Sequence, residues 1–305
     1  MMKLPAGWYA FASPKELSWK KPNSLRRFGI DWVVWRSLNK TWVAQEDRCP
    51  HRSAKLSLGR IVGNCIECPF HGFRFDSEGI CTFVPEIKRD SPGLKLESYV
   101  LTEKYNFFWI NWGNSQSSEI PWFSELENGV FSYSSHTSCW KKHFSRCVES
   151  QLDYVHLPFV HSNSIGRGFD PSRSVTWKLQ DSTIRVYLGD EGPTTGYFEF
   201  RYPNIWKLSI SPKMVQTLMF VPVDENETWI YSRAYHCFTR VPILREWMAW
   251  FFAQITNPYI LAQDRRVVLS QDPDDVRNAH GERLFPSDRA IIAFRKWFKG
   301  VNDVS

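Results

Sequence analysis

Cys49-Pro50-His51-Arg52 and Cys68-Pro69-Phe70-His71-Gly72-Phe73 are two stretches of the same make, each offering one thiolate and one imidazole, with sixteen residues between His51 and Cys68. Thiolates hold ferric iron and bridging sulfides. Replacing two of them by neutral imidazoles on one iron lowers the negative charge of the site and raises its reduction potential. Four such donors in two short loops therefore have the make-up of a one-electron relay. A competing reading takes Cys65-Ile66-Glu67-Cys68 as a C-x-x-C and adds Cys49 and Cys81 to make a four-sulfur zinc site. It leaves His51 and His71 idle, and Cys49 and Cys81 lack the close second cysteine of zinc ribbons. Cys65 and Cys81 are then expected as small buried apolar residues.

The sequence around these loops reads as short strands separated by turn residues: Asp31 to Arg36, Thr41 to Ala44, Phe73 to Phe75 and Phe107 to Trp112. This predicts a small all-β domain over residues 1–113, closed by the polar, turn-rich run Gly113 to Ser118. Residues 114–305 predict a second, α+β domain. It opens with a helical stretch from Val148 to Val160, continues with strands such as Thr183 to Leu188 and Trp229 to Tyr235, and ends in helices after Pro242. Two domains suit a chain of 305 residues, and 15 Trp, 22 Phe and 11 Tyr suit a β-rich fold with an apolar pocket.

The second domain carries another set of donors. Asp153 and His156 are three apart and share a helix face. His156 and His161 lie roughly 140° apart around an ideal helix, too far to meet at one metal. Pro158 between them supplies a kink that turns the second imidazole toward the first. Two His with one carboxylate make the facial triad of non-haem Fe(II) oxygenases, and an upstream electron relay needs such an acceptor. The carboxylate is expected from the late helix Asn257 to Gln271. There Asp264 sits three after Leu261 and three and four before Val267 and Val268, on the apolar face. A carboxylate facing a core is costly unless paired or metal-bound; a salt bridge to Arg265 or Arg266 is the alternative. Asp153 is read as a partner that fixes His156 by accepting its free N–H.

With these residues in hand, Cys49-x-His51 and Cys68-x-x-His71 resemble the Rieske C-x-H…C-x-x-H signature, and Asp153-x-x-His156-x4-His161 is similar to the D-x2-H-x4-H motif of Rieske non-haem iron oxygenases. The Gln263-Asp264-Arg265 context looks like the family's third-ligand region, and the likeness runs on through Phe285-Pro286-Ser287-Asp288-Arg289 to Trp297-Phe298. The resemblance implies an all-β Rieske domain followed by a helix-grip (START-like) antiparallel-sheet catalytic domain. It implies one 2Fe-2S cluster per chain, with Cys49 and Cys68 on one iron and His51 and His71 on the other, and one Fe(II) on His156, His161 and Asp264. It further implies O2 as co-substrate, electrons from NAD(P)H through a reductase or ferredoxin, and a mono- or dioxygenase that hydroxylates or oxidatively demethylates a small molecule. Demethylases and natural-product tailoring enzymes such as the saxitoxin-type hydroxylases are the similar branch. In that family Asp153 bridges a cluster His, here His71, to His156 of a neighbouring chain, which implies a head-to-tail homotrimer. Ser150 stands where many relatives have Asn. Phe70, Phe73 and Phe75 stand where donors to the cluster are common, which points to a lower potential.

Two other classes fit parts of the text: a Rieske electron carrier in which only residues 1–113 act, and a helix-grip ligand carrier without oxygenase activity. The formal charge of +6 comes from scattered basic residues with no nucleic-acid module, so it is read as a solvated surface that speeds encounter with an acidic electron carrier. Seven cysteines, an odd number, and an N-terminus without an apolar signal core lead us to expect free thiols and a cytoplasmic address. Trp247 to Ile255 is too short to span a bilayer; it is expected as a core helix, with membrane-surface contact as the alternative. Arg167, Tyr197, Phe198 and Tyr235 are pocket candidates by region.

Overall fold

The computed structural model describes residues 2–300 except 114, 191, 193, 194 and 240. The chain divides into two compact units, one of Ala6–Ser118 and one of Glu119–Ser305 with Met2–Pro5.

The first unit is all β. Its strands are β1 (Gly7–Ala12), β2 (Asn23–Arg27), β3 (Ile30–Arg36), β4 (Trp42–Glu46), β5 (Arg60–Val62), β6 (Cys65–Glu67), β7 (Arg74–Phe75), β8 (Ile80–Val84), β9 (Arg89–Lys95), β10 (Ser98–Lys104) and β11 (Phe107–Trp112). They form a six-stranded sheet in the order β1-β11-β10-β4-β3-β2 and a five-stranded sheet β5 to β9 in sequence order. Val33, Trp35 and Val43 of the larger sheet pack with Ile66, Phe75, Cys81 and Val84 of the smaller in one core that also contains Cys49 and Cys68. Full burial of each large apolar side chain contributes roughly 1.5–3 kcal/mol. The Trp35 indole N–H is satisfied inside this core by Gln45 Oε1 at 3.1 Å.

The second unit is α+β. Its seven-stranded sheet runs β12-β18-β17-β16-β15-β14-β13. The strands are β12 (Ser132–Trp140), β13 (Thr176–Gln180), β14 (Thr183–Tyr187), β15 (Tyr197–Arg201), β16 (Ile205–Ser211), β17 (Met214–Asp224) and β18 (Glu227–His236). All pairings are antiparallel. One face receives helices α1 (Phe144–Leu152), α4 (Asn257–Val268) and α5 (Arg289–Lys299), with Phe200 edge-on to Phe294 of α5. The other face carries a cross-strand row of charge, Arg185, Glu199 and Lys207, bridged at 2.5 Å and 3.7 Å and capped by Glu125 at 2.6 Å from Lys207. Glu199 is fully buried, and this pairing is what makes its burial tolerable.

Three expectations change here. The stretch from Val148 to Val160 is not one helix kinked at Pro158. Helix α1 ends at Leu152, Asp153 is extended (ψ 137°), and Pro158 lies in the first turn of a separate one-turn helix α2 (Leu157–Val160), where a missing N–H costs nothing. The late helix begins at Asn257 as expected but ends at Val268 rather than Gln271, and α3 (Pro242–Phe251) and a π-helical turn, Phe252–Thr256, lead straight into it. And Trp247 to Ile255 is not a core helix. Ile243 (82% exposed), Trp247 (57%), Trp250 (55%) and Ile255 (49%) face outward, and no described residue of the second unit buries them. Among the described residues no helix is long and apolar enough to cross a membrane.

Candidate iron-sulfur and mononuclear metal sites

The two Cys–His loops of the first unit are built alike. Cys49 N–H donates to Ala54 O (2.8 Å) and Ser53 N–H returns to Cys49 O (2.8 Å); Cys68 N–H donates to Phe73 O (2.8 Å) and Gly72 N–H returns to Cys68 O (3.1 Å). Both turns close through a left-handed residue, Ser53 at φ 57° and Gly72 at φ 71°. Glycine takes this conformation without strain, and a Cβ at 72 would press on Pro85 at 3.1 Å.

The turns sort the donors by type. Cys49 and Cys68 are buried side by side in the core, while His51 is exposed and His71 half-exposed, their rings 4.7 Å apart. Burial first, and then the neighbouring sulfur of Cys68, push the Cys49 thiol up to about 11, against the pull of backbone N–H groups of His51 and Arg52. Two sulfurs buried side by side, with amides aimed at one of them, are a donor pair made for a positively charged partner. Like donors paired at two ends fit a two-iron cluster better than a single ion. Phe73 stacks on His51 (4.6 Å) and Phe70 tilts over His71 (3.9 Å), so the aromatic groups at this tip contribute packing and no hydrogen bond. Cys81 is buried; Cys65 is half-buried with its sulfur on Thr82 Oγ1, and no four-cysteine group converges among the described residues.

In the second unit, His156, His161 and Asp264 each present one ligand atom within 4.8 Å of the others. His156 caps the N-terminal end of α2 and His161 its C-terminal end, so a one-turn helix brings the two rings to 5.3 Å. Asp264 Oδ1 lies 2.8 Å from His161 Nε2 and 3.5 Å from His156 Nε2. Asp264 is on the buried stripe of α4 with Ile260, Leu261 and Val268, whereas Val267 points out at 40% exposure. Arg265 and Arg266 do not reach it; its partners are the two His and the Gln151 amide, whose Nε2 donates to Oδ2 at 3.1 Å.

Tautomers matter here, because a metal takes the lone pair of one ring nitrogen. His161 Nδ1 lies 2.8 Å from Gln263 Oε1, which fixes the proton on Nδ1 and frees Nε2. Ser164 Oγ donates to the same Gln263 oxygen at 3.1 Å. Burial resists charging of His161, but Asp264 and Gln263 more than offset it and raise its pKa. Asp153 Oδ2 stands 3.4 Å from His156 Nδ1 without the alignment of a hydrogen bond, while its Oδ1 accepts from Val155 N at 2.7 Å. Two imidazoles whose Nε2 atoms face one buried carboxylate are the donor set for ferrous iron.

The triad lines a cavity of about 400 Å3. The pleat turns Phe198, Trp206, Leu208, Ile210, Met214 and Gln216 into it, while Asn257, Ile260 and Leu261 close it from α4. No Lys or Arg lines it among the described residues, and two buried N–H donors in its wall, Asn257 Nδ2 and Trp206 Nε1, have no partner. Of the candidates named by region, only Phe198 lines the cavity. Arg167 is exposed, Tyr197 packs against Arg185 and Lys207, and Tyr235 is held by Arg233 and Glu127. Gln151, Asn257 and Trp206 were not singled out from sequence: an amide in a buried helix and an indole in a strand carry no motif.

A second group, His143, Glu225 and Asp275, also converges. There His143 caps α1, its Nδ1 accepting from Ser145 N at 3.3 Å, so Nε2 carries the proton and faces Glu225 at 3.2 Å. Arg277 already pairs with Asp275 at 2.6 Å. This is a satisfied ion cluster.

Residues 7–102 match the family profile described as Rieske [2Fe-2S] domain. The methylxanthine N1-demethylase NdmA of Pseudomonas putida is 32% identical over 97% of this chain and 88% of its own length. The solved structure of NdmB from Pseudomonas putida CBB5, 26% identical, superposes with a TM-score of 0.81 over 98% of this chain and 93% of NdmB. Dicamba monooxygenase bound to dicamba shares the fold at a TM-score of 0.79 with 19% identity, over 98% of this chain and 97% of its own.

Proposed function

Because the chain belongs to the Rieske non-haem iron oxygenase family, we propose that Cys49 and Cys68 hold one iron of a 2Fe-2S cluster, His51 and His71 the other, and that His156, His161 and Asp264 hold a single ferrous iron. The chain is an oxidoreductase of the oxygenase and demethylase type that works with electron-transfer partners. The convergence of His156, His161 and Asp264 in the wall of a largely apolar cavity carries the proposal that this chain is itself the oxygenase component. When bound, the cluster supplies electrons one at a time and the ferrous iron supplies activation of O2. The electrons come from NAD(P)H through a reductase or ferredoxin, the working unit is a head-to-tail homotrimer in which Asp153 bridges the neighbouring chain's His71 to His156, and seven free cysteines suit a cytoplasmic address.

For the reaction we favour oxidative N-demethylation of a neutral heterocycle. A carboxylate-bearing substrate buried in this cavity would need a cation, and none lines it among the described residues. The unpartnered N–H groups of Asn257 and Trp206 suit ring carbonyl or ring nitrogen acceptors, which methylxanthines carry. The balance is one N–CH3, one O2, two electrons and two protons giving N–CH2OH and water; the N–CH2OH then releases formaldehyde and leaves N–H. The test is oxygen uptake and formaldehyde release by the iron-loaded protein with a surrogate reductase across N-methyl, O-methyl and polycyclic compounds. Formaldehyde coupled to O2 with N-methyl heterocycles is expected. Ligand binding without O2 consumption would support the carrier reading instead, and two rather than three irons per chain, insensitive to His161→Ala, the electron-carrier reading.

A further inference from the structure

We propose that Gln151 holds Asp264 as a one-oxygen ligand, keeping one more metal position open than a two-oxygen carboxylate would leave. The inference rests on the mononuclear-iron reading above and concerns how this chain's own residues shape that site. The two oxygens of Asp264 have different tasks. Oδ1 faces both imidazoles, at 2.8 Å from His161 Nε2 and 3.5 Å from His156 Nε2. Oδ2 accepts the Gln151 amide at 3.1 Å.

This tie joins two helices. Gln151 is in the last turn of α1 and is buried, and Asp264 is on the buried stripe of α4. The only other contact of Gln151 Nε2 among the described residues is a long one, 3.4 Å to Ser150 Oγ, itself donating to Cys147 O. Turning Oδ2 toward the metal would break a charge-assisted hydrogen bond and leave a buried amide N–H poorly satisfied. A carboxylate on a free surface would have no such bias, because water would replace the amide. The residue acts through Asp264 and is a positioning residue.

The experiment uses the full chain with its cluster in place and Co(II) loaded into the mononuclear site. Cobalt K-edge absorption then reads only this metal, since the cluster contains iron. A crystal structure of the same sample reads the carboxylate directly. In the wild type one Asp264 oxygen is expected within bonding distance and Oδ2 on Gln151. In Gln151→Leu, and in Gln151→Met should the branched side chain disturb packing, both oxygens are expected on the metal and the light-atom ligand count rises by one. Cobalt affinity is expected to stay within about threefold, while turnover of the iron-loaded variant falls by about tenfold or more. A wild-type site with both oxygens on the metal, or variants that keep the wild-type ligand count, would overturn the role of Gln151 alone. A wild type that takes up no metal at these residues would sink the site reading and this inference with it.

Discussion

Gln263→Leu separates the stability of the apoprotein from its grip on metal. In the wild type Gln263 Oε1 accepts the Nδ1 proton of His161 at 2.8 Å, in a ring only 1% exposed. With the acceptor gone, a buried N–H would cost about 1–3 kcal/mol if it stayed unpaired. It need not stay so: the proton can move to Nε2, where Asp264 Oδ1 already waits at 2.8 Å. The apoprotein therefore loses little, about 1 kcal/mol by urea unfolding. The metal loses more, because the nitrogen it needs now carries the proton. Removing such a partner typically weakens metal binding by about 10–100-fold, or about 1.4–2.7 kcal/mol at 1.36 kcal/mol per decade. Anaerobic Fe(II) titration of the cluster-containing protein reads the affinity. Gln263→Glu, which keeps an acceptor for Nδ1, is expected to bind within about threefold of wild type. Gln263→Leu binding within threefold of wild type, or Gln263→Glu falling equally far, would refute the tautomer argument.

Four other outcomes follow from contacts elsewhere in the chain. Burial lowers the pKa of His143 despite Asp275 and Glu225 beside it, so the unfolded chain binds the proton more tightly; stability is expected to fall as pH drops below about 6.5 and to level off below the folded value, a slope that His143→Asn, which keeps the α1 cap, removes in pH-dependent unfolding. Arg295→Met leaves Glu149 and Glu282, now 2.5 Å and 2.6 Å from its guanidinium, with Arg146 alone and should cost about 3–5 kcal/mol by chemical denaturation. Trp206→Phe removes one cavity N–H and should raise KM by roughly tenfold for substrates with a facing acceptor, leaving analogues without that acceptor unchanged. Co-expressed His71→Ala and His161→Ala chains should recover activity that neither has alone, if each cluster feeds a neighbour's iron; mixtures as dead as the parents would argue for transfer within one chain.

The cluster loops were legible because their chemistry is local: two cysteines and two histidines at short spacing, in turns that close on themselves. Asp264 was legible by helix phase, since a carboxylate three from Leu261 and four from Val268 must face the core. What sequence could not give were contacts across the fold. Gln151 meets Asp264 from another helix, 113 positions away, and Trp206 reaches the cavity only because β16 pairs between β15 and β17. The misread helix has a physical reason too. Both Asp153 and Pro158 are helix-disfavouring, and the break falls at Asp153, the earlier one, whose carboxylate takes the Val155 N–H in a local turn that competes with the helix. The apolar run at Trp247 reads as core from composition, yet composition says only that a surface wants covering, never by what.

The exposure pattern bears on how the two metal sites would communicate in the proposed ring. The sulfurs of Cys49 and Cys68 lie inside a core, so the histidine edge would be the side of a cluster held there that another group can approach. Asp153 keeps 30% of its side chain exposed, with one oxygen spent on Val155 N and the other 3.4 Å from His156 Nδ1. His156 Nδ1 is buried and has no hydrogen bond of its own in the single chain. Buried polar atoms are rarely left so. A carboxylate half-committed to an unpaired imidazole, and an imidazole edge open on another surface, are each incomplete alone. Docking of a second chain's His71 against Asp153 would give the carboxylate a second donor and hold it where it could align with His156, so assembly would complete the metal site's hydrogen bonding in the same step that connects it to electrons.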